Sequence, residues 1–354
     1  IRCRKNLIMK RYFFFPLIVL LSTLLFVLET TYSQNNLHKK LQTILSDDVL
    51  RTTTVSAKVV ELKNGRTFFS LNSEKLLHPA STMKLFTTAS ALHYLGRDFQ
   101  VKTEIYIDEK NNLYVKGFGD AMLRTEHVDS IAKQILKNGI RKVENIFGDV
   151  SYFDDNYWGK GWMWDDEPDA SAMYISPLCV DGNIVKVIVQ PIKLNEEPFV
   201  ELLPTSSFFS VDNEAMTTNS FNAQYGKFEV TRKWKERENT IVIKGNLPSS
   251  AARDTFELNV WKPELYTLTL LKEKLESKGI SVNGSVQIGK LQGKKKIFSI
   301  SHSIDSIVYR ANKESDNLCA ENLLKIIAAE RNSIPAVADS GIQLEKNYFA
   351  SIGI

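Results

Sequence analysis

Ser81 and Lys84 stand three residues apart in the stretch HPASTMKL, residues 78–85. A serine hydroxyl is a poor nucleophile until a base takes its proton. A lysine three positions further on in a helix projects from the same face as the serine. Shielded from water, that amine can be neutral near pH 7 and act as the base. The flanking residues predict such a helix: Pro79 ends what precedes it, Leu85, Ala89, Leu92 and Leu95 space an apolar face at helical period, and Gly96 stands where a C-terminal cap belongs. Taken alone, the pair reads first as an amphipathic helix with Ser81 at its cap, because Ser and Lys at this spacing are common by chance.

Ser315-Asp316-Asn317 changes that balance. It lies between two helical patterns, Ile304, Ile307, Val308 and Ala311 upstream and Ala320, Leu323, Leu324 and Ile327 downstream. In a short loop between helices, Ser315 and Asn317 can present a hydroxyl and an amide to a pocket; the plain alternative is a helix cap. S-x-x-K followed by S-D-N, completed by K-T-G, is the motif set of class A β-lactamases and penicillin-binding proteins. The first two members are here in that order. No Lys-Thr-Gly or Lys-Ser-Gly occurs, Lys102-Thr103 being followed by Glu104.

The surrounding text resembles a more particular family, the D-Ala-D-Ala carboxypeptidase/endopeptidases, or class C low-molecular-mass penicillin-binding proteins. The matching residues are Leu77 to Gly96 (LHPASTMKLFTTASALHYLG), Gly117-Phe118-Gly119-Asp120, the Trp-rich GWMWDDEP at 161–168, and Ser315 to Leu323 (SDNLCAENL). The likeness runs over roughly residues 40 to 354. It implies an α+β fold: a penicillin-binding/β-lactamase-like transpeptidase domain, a sheet flanked by helices, with β-rich domains inserted between the S-x-x-K and S-x-N motifs. The 231 residues from Lys84 to Ser315 leave room for that insertion. The division expected is 34–96 with 262–354 for the acyl-serine domain and 97–261 for the inserted part.

The resemblance also implies roles. Ser81 attacks the carbonyl between two D-alanines of a peptidoglycan stem peptide, Lys84 takes its proton, Ser315 relays a proton towards the leaving amine, and Asn317 binds substrate and helps position Lys84. β-Lactams act as acylating mimics. In the family the K-T-G motif lies on a core strand well after the S-x-N loop, whereas residue 354 follows Asn317 by 37 positions. The expectation is therefore of a chain that ends before its third motif, with impaired catalysis and a marginally folded first domain. A non-catalytic cell-wall-binding relic is the alternative. A β-lactamase is a second, disfavoured by the long insertion and by the lack of a recognisable deacylating Glu motif.

Charge adds nothing for nucleic acid. The net charge of +4 arises in residues 1–33, where Arg2, Arg4, Lys5, Lys10 and Arg11 face Glu29 alone, so the remainder is about neutral. Met9-Lys10-Arg11, the apolar run Tyr12 to Leu28 and Thr31-Tyr32-Ser33 before Gln34 read as a signal peptide, with residues 1–8 upstream of the start. Export to the periplasm or cell envelope follows, with membrane contact only through that segment; an uncleaved anchor is the alternative. Cys179 and Cys319 read as two buried free thiols. No C-x-x-C, H-E-x-x-H, G-x-S-x-G or dinucleotide loop is present, so no cofactor and no metal are expected.

The rest of the pattern is coarse. Val55 to Leu62 and Thr67 to Leu71 read as a hairpin about Asn64-Gly65. Val101 to Ile107, Leu113 to Gly117, Val185 to Val189, Phe228 to Arg232 and Thr240 to Lys244 read as strands. Val128 to Asn138 reads as a helix with Ile131, Ile135 and Leu136 inward, and Pro263 opens another through Lys278, closed by Gly279. Trp158, Trp162 and Trp164 read as domain core with exposed rims rather than as a carbohydrate site. Asp165, Asp166, Glu167 and Asp169 read as a solvated acidic loop rather than as a metal or paired-carboxylate site.

Overall fold

The computed structural model describes residues 36–220, 222–291, 295–332 and 334–354. The signal segment from Met9 to Ser33, with Cys3, lies outside the described residues. The chain divides into two compact units, one up to Ala80 and one from Ser81 to Ile354. The described part of the first holds a helical stretch at 36–45 and an antiparallel hairpin of β1 (Ala57–Val60) and β2 (Thr67–Leu71). Gly65 turns the hairpin at φ 73°, as the Asn-Gly pair predicts. The first strand is shorter than its alternating pattern because the register slips at Val59/Val60.

The second unit carries thirteen further strands and six helices among its described residues. Its largest sheet contains β3 (Gln100–Ile107), β4 (Leu113–Gly117), β6 (Ile146–Asp149), β14 (Val286–Ile288) and β15 (Lys295–Ser303), in the order β14-β6-β4-β3-β15. Beside it β5 (Lys142–Val143) pairs with β13 (Ser281–Val282). Two three-stranded sheets complete the β part. One orders β10 (Glu229–Arg232), β11 (Thr240–Pro248) and β9 (Ser210–Thr218); the other orders β12 (Asp254–Asn259), β7 (Ile184–Gln190) and β8 (Phe199–Leu203).

The helices follow their apolar periods. On α2 (Thr125–Lys137) the buried side chains are Val128, Ile131, Ala132 and Ile135, one face at 3.6-residue period. Helix α3 (Pro263–Ser277) opens on Pro263, whose missing N–H is not needed in a first turn, and Gly279 follows it at φ 77°. These two helices pack on each other, α2 also against β15 and α3 against β6 and β14. The expected domain seam near residue 262 has strand pairing across it. β13, β14 and β15 lie after that point and pair with β5, β6 and β3 before it. One core joins Ile105, Val143 and Ile146 to Tyr266, Leu271 and Ile280.

A second core is helical. It is built by α1 (Lys84–Leu95), α4 (Ile304–Lys313), α5 (Asn317–Arg331) and α6 (Ala338–Ser351), with α1 touching the other three. Ala91, Ile304, Ile307, Ala311, Leu318, Leu323 and Ile327 are buried together there. Each fully buried Ile or Leu contributes about 1.5–3 kcal/mol. The apolar face predicted for α1 is only in part the buried one: Leu92 and Leu95 are half-buried against this core. Leu85 is 58% exposed, whereas Lys84, Thr88, Ser90 and Ala91 are buried. Part of the inner face of α1 is polar because it meets α4 and the loop that follows it, where Lys84 reaches Ser315 and Thr88 reaches Asn312.

Gly117-Phe118-Gly119-Asp120 joins this core to the sheet. A Cβ on Gly117 would lie 2.2 Å from the Pro177 carbonyl oxygen, so the backbone admits no side chain there. Asn322 of α5 donates from Nδ2 to the carbonyls of Gly119 (3.0 Å) and Ser176 (3.2 Å). Buried Asp120 pairs at 2.8 Å with His302 of β15.

Candidate active site

Ser81 precedes α1 in a single 3-10 turn, Ala80–Met83, and Lys84 is the first residue of the α-helix. The tighter turn still leaves the two side chains on one side. Lys84 Nζ donates to Ser81 Oγ at 2.9 Å. From the other end of the chain, Ser315 Oγ donates to Ser81 Oγ at 2.7 Å and receives Lys84 Nζ at 3.4 Å. Three polar atoms, two from one turn and the third from a loop 231 residues beyond Lys84, thus close a triangle.

Two features of the backbone hold that triangle. Ser315 sits at φ 57° and Ala80, just before Ser81, at φ 46°, a region that residues other than glycine rarely occupy. Strain of this kind persists where the surrounding structure enforces it, and it gathers at functional sites. Asp316 enforces it at Ser315. Its Oδ1 accepts the Cys319 N–H at 2.8 Å and so caps α5, while Oδ2 accepts Arg310 Nε at 2.6 Å. Thr88 and Asn312 tie α1 to α4. Thr88 Oγ1 donates to the Lys84 carbonyl at 2.8 Å and accepts Asn312 Nδ2 at 3.1 Å.

Electrostatics decide what Lys84 can do. Its side chain is buried, and burial lowers its pKa below the usual 10.5. The charges of Asp316 and Glu321 oppose that shift without cancelling it. Glu321 is itself buried, which raises its own pKa against the pull of Lys325 and Lys84. A lysine depressed in this way has a larger neutral fraction near pH 7 than an exposed one, and its lone pair can accept the proton of Ser81.

Asn317 occupies another position. It is the first residue of α5, and its Nδ2 donates to the Ser171 carbonyl at 2.7 Å. The structure brings Ser81, Lys84 and Ser315 together and turns the Asn317 side chain to the backbone of Ser171. Lys84 itself is buried and bonded to Ser81 and Ser315. Sequence reasoning missed Arg310, Asn312, Thr88 and Glu321. The text gave no local sign of Arg310 and Asn312, while Thr88 stood inside the quoted Leu77 to Gly96 and Glu321 inside SDNLCAENL.

The Trp-rich stretch divides. Trp158 packs edge-on to Trp162 with centroids 5.3 Å apart, and Trp162 joins the helical core. Trp164 is 69% exposed and lies over Trp234. The acidic residues beside it are not simply solvated. Glu167 accepts Arg232 Nη2 at 2.7 Å and the Tyr174 hydroxyl. The Arg232 side chain is fully buried and needs a counter-charge, which is why this carboxylate turns inward. Asp166 and Asp169 accept backbone N–H groups of Met163 and Ser171. Among the described residues no group of three or more His, Cys, Asp or Glu could hold a metal ion. Cys179 and Cys319 are free and buried. No described helix is long and apolar enough to cross a membrane.

Comparison with known proteins gives the family of the chain and the fold it shares. A family model described as D-Ala-D-Ala carboxypeptidase 3 (S13) family matches residues 37–354. A D-alanyl-D-alanine carboxypeptidase of Actinomadura sp. strain R39 is 31% identical over 313 residues, covering 83% of this chain and 57% of that protein. D-alanyl-D-alanine carboxypeptidase DacB of Haemophilus influenzae is 24% identical, covering 80% and 60%. The chain thus spans somewhat over half the length of the curated relatives it matches. Penicillin binding protein 4 (dacB) from H. influenzae superposes with a TM-score of 0.74 at 22% identity, covering 84% of this chain and 67% of that one. A second structure of it, complexed with a novel beta-lactam, gives 0.69 at 20% identity, covering 88% and 70%. The α+β architecture is therefore shared with that protein.

Proposed function

Because this chain belongs to the D-Ala-D-Ala carboxypeptidase 3 (S13) family, we propose that it is part of a serine-type D-Ala-D-Ala carboxypeptidase/endopeptidase acting on peptidoglycan stem peptides. The observation that carries this reading is the triangle of Ser81 Oγ, Lys84 Nζ and Ser315 Oγ at 2.7–3.4 Å. Ser81 Oγ attacks the carbonyl carbon between two D-alanines as Lys84 takes its proton. An O–C bond forms, the C–N bond breaks, and the proton reaches the leaving amine through Ser315 Oγ. Water then hydrolyses the acyl-serine ester. The Ser81 backbone N–H supplies one donor to the oxyanion. Asn317, fixed by the Ser171 carbonyl, contacts the substrate amide. β-Lactams acylate the same serine.

Export belongs to this reading, since the substrate lies outside the cytoplasm; it rests on the Met9 to Ser33 pattern. The test is D-alanine release from a D-Ala-D-Ala peptide by protein recovered from the cell envelope. Release is expected from the wild type and not from Ser81→Ala, with a mature N-terminus near Gln34. Equal release by Ser81→Ala would overturn the assignment, and an intact 12–28 segment in membranes would overturn the export.

A further inference from the structure

Between Ser315 and Asn317 stands a residue with no part in the reaction above. Asp316 is almost buried, with 8% of its side chain exposed, and its carboxylate is divided between two helices. One oxygen caps α5 through the Cys319 N–H, and the other takes Arg310 Nε of α4 at 2.6 Å. Arg310 grips the loop a second way. Its carbonyl accepts the N–H groups of Glu314 (3.0 Å) and Asp316 (3.4 Å), on either side of Ser315. The strained Ser315 backbone is thus bracketed by contacts to one arginine.

The same pair bears on Lys84. The charged and titratable groups that interact with Asp316, Lys84, Cys319 and Arg310 come from every element packed there. Arg310 and Glu314 come from α4, Cys319 and Glu321 from α5, Lys84 from α1, and Arg124 from the segment before α2. Glu314 is half exposed and 3.6 Å from Arg310 Nε. Burial pushes the Cys319 thiol well up, with Asp316 adding to it, so Cys319 is uncharged near neutral pH. Asp316 is the leading charge that acts on Lys84, and Arg310 is the cation in direct contact with it.

We propose that Arg310 is a positioning residue of the Ser81 site, which through its ion pair with Asp316 both holds Ser315 against Ser81 and offsets the Asp316 charge beside Lys84. This rests on the proposed function for its consequence in catalysis, but its electrostatic half is a property of the folded chain. Removal of the guanidinium leaves a nearly buried carboxylate facing the lysine with no counter-charge, which favours the ammonium form. Removal of the carboxylate has the opposite sign. A residue that merely packed the loop would move neither.

Two readouts test this. One is the titration of Lys84 in the whole protein, followed by NMR of isotope-labelled lysine side chains and assigned with Lys84→Met. The other is the rate of acylation by a fluorescent penicillin as a function of pH. Arg310→Met should raise the Lys84 midpoint by about one pH unit and lower acylation at pH 7 about tenfold, with the rate profile displaced to higher pH by the same amount. Arg310→Lys, which keeps a cation, should recover most of both effects. Asp316→Asn keeps the capping oxygen and should lower the midpoint. A folded Arg310→Met with an unmoved midpoint would overturn the proposal, as would Asp316→Asn with a raised or unchanged one. If Arg310→Met does not fold, the Asp316→Asn shift decides. If the wild type is not acylated at all, the proposed function fails, while the Lys84 midpoints still settle the role of Arg310.

Discussion

Lys84→Met is expected to slow acylation of Ser81 by a penicillin about a thousandfold, with the fold intact. The argument starts from the base. Loss of a positioned general base costs about 10²–10⁴ in rate, which at a thousandfold is about 4 kcal/mol of barrier. Met has nearly the length of Lys, and the site is already closed to water around the stem, so packing survives. The pH dependence gives the same test a sign. The Lys84 pKa lies below 10.5 because of burial, so wild-type acylation should rise with pH through that lowered value and level off before 10.5. Stability follows the same window. A lysine depressed in the folded state binds its proton less tightly there than in the unfolded chain, so the wild type gains stability as pH rises from the lowered pKa towards 10.5. Lys84→Met should lack that gain and melt no lower than the wild type near pH 7. Acylation of Lys84→Met within a few fold of wild type, measured by stopped labelling and gel fluorescence, would show that another group takes the proton.

Arg232→Ala is expected to destabilise the protein by about 3–5 kcal/mol. The guanidinium is fully buried and bonds to Glu167 (2.7 Å), the Asn259 side chain (2.8 Å) and the Glu238 carbonyl (2.8 Å). Its removal leaves the carboxylate of Glu167 without its cation in a site from which water is largely excluded. It also opens a cavity under Tyr174. Urea unfolding should show the loss, and Glu167→Gln added to Arg232→Ala should restore part of it by removing the stranded charge. A loss below about 1 kcal/mol would mean that the pair is solvated or replaced by other contacts.

The legible part of this protein was what adjacent residues decide. The period of Ile304, Ile307 and Ala311 gave α4, Asn64-Gly65 gave the hairpin turn, and Pro263 and Gly279 bounded α3. Ser81 and Lys84 were legible as a pair because their contact lies within one turn. Ser315 joined them only through the order of motifs, since nothing local shows which loop a 231-residue connection returns to. The first turn of α1 was misread for the same reason. An apolar period predicts which residues avoid water on average, but the inner face of a helix at a polar site is chosen by its neighbours, and here Lys84 and Thr88 go in while Leu85 stays out. Glu167 and Arg232 stand 65 positions apart, and Arg310 reads as one more surface charge until the chain turns it onto Asp316. Strand order is non-local in the same sense: β3 finds β15 across almost two hundred residues.

The central claim is that Ser81 is the nucleophile. Its most direct test is the mass of the protein after brief exposure to a penicillin, followed by digestion and location of the adduct. We expect one added penicillin, on the peptide that contains Ser81, in the wild type and in Ser315→Ala at a reduced rate. An adduct on Ser315 or on any other residue, or an undiminished adduct in Ser81→Ala, would contradict the account.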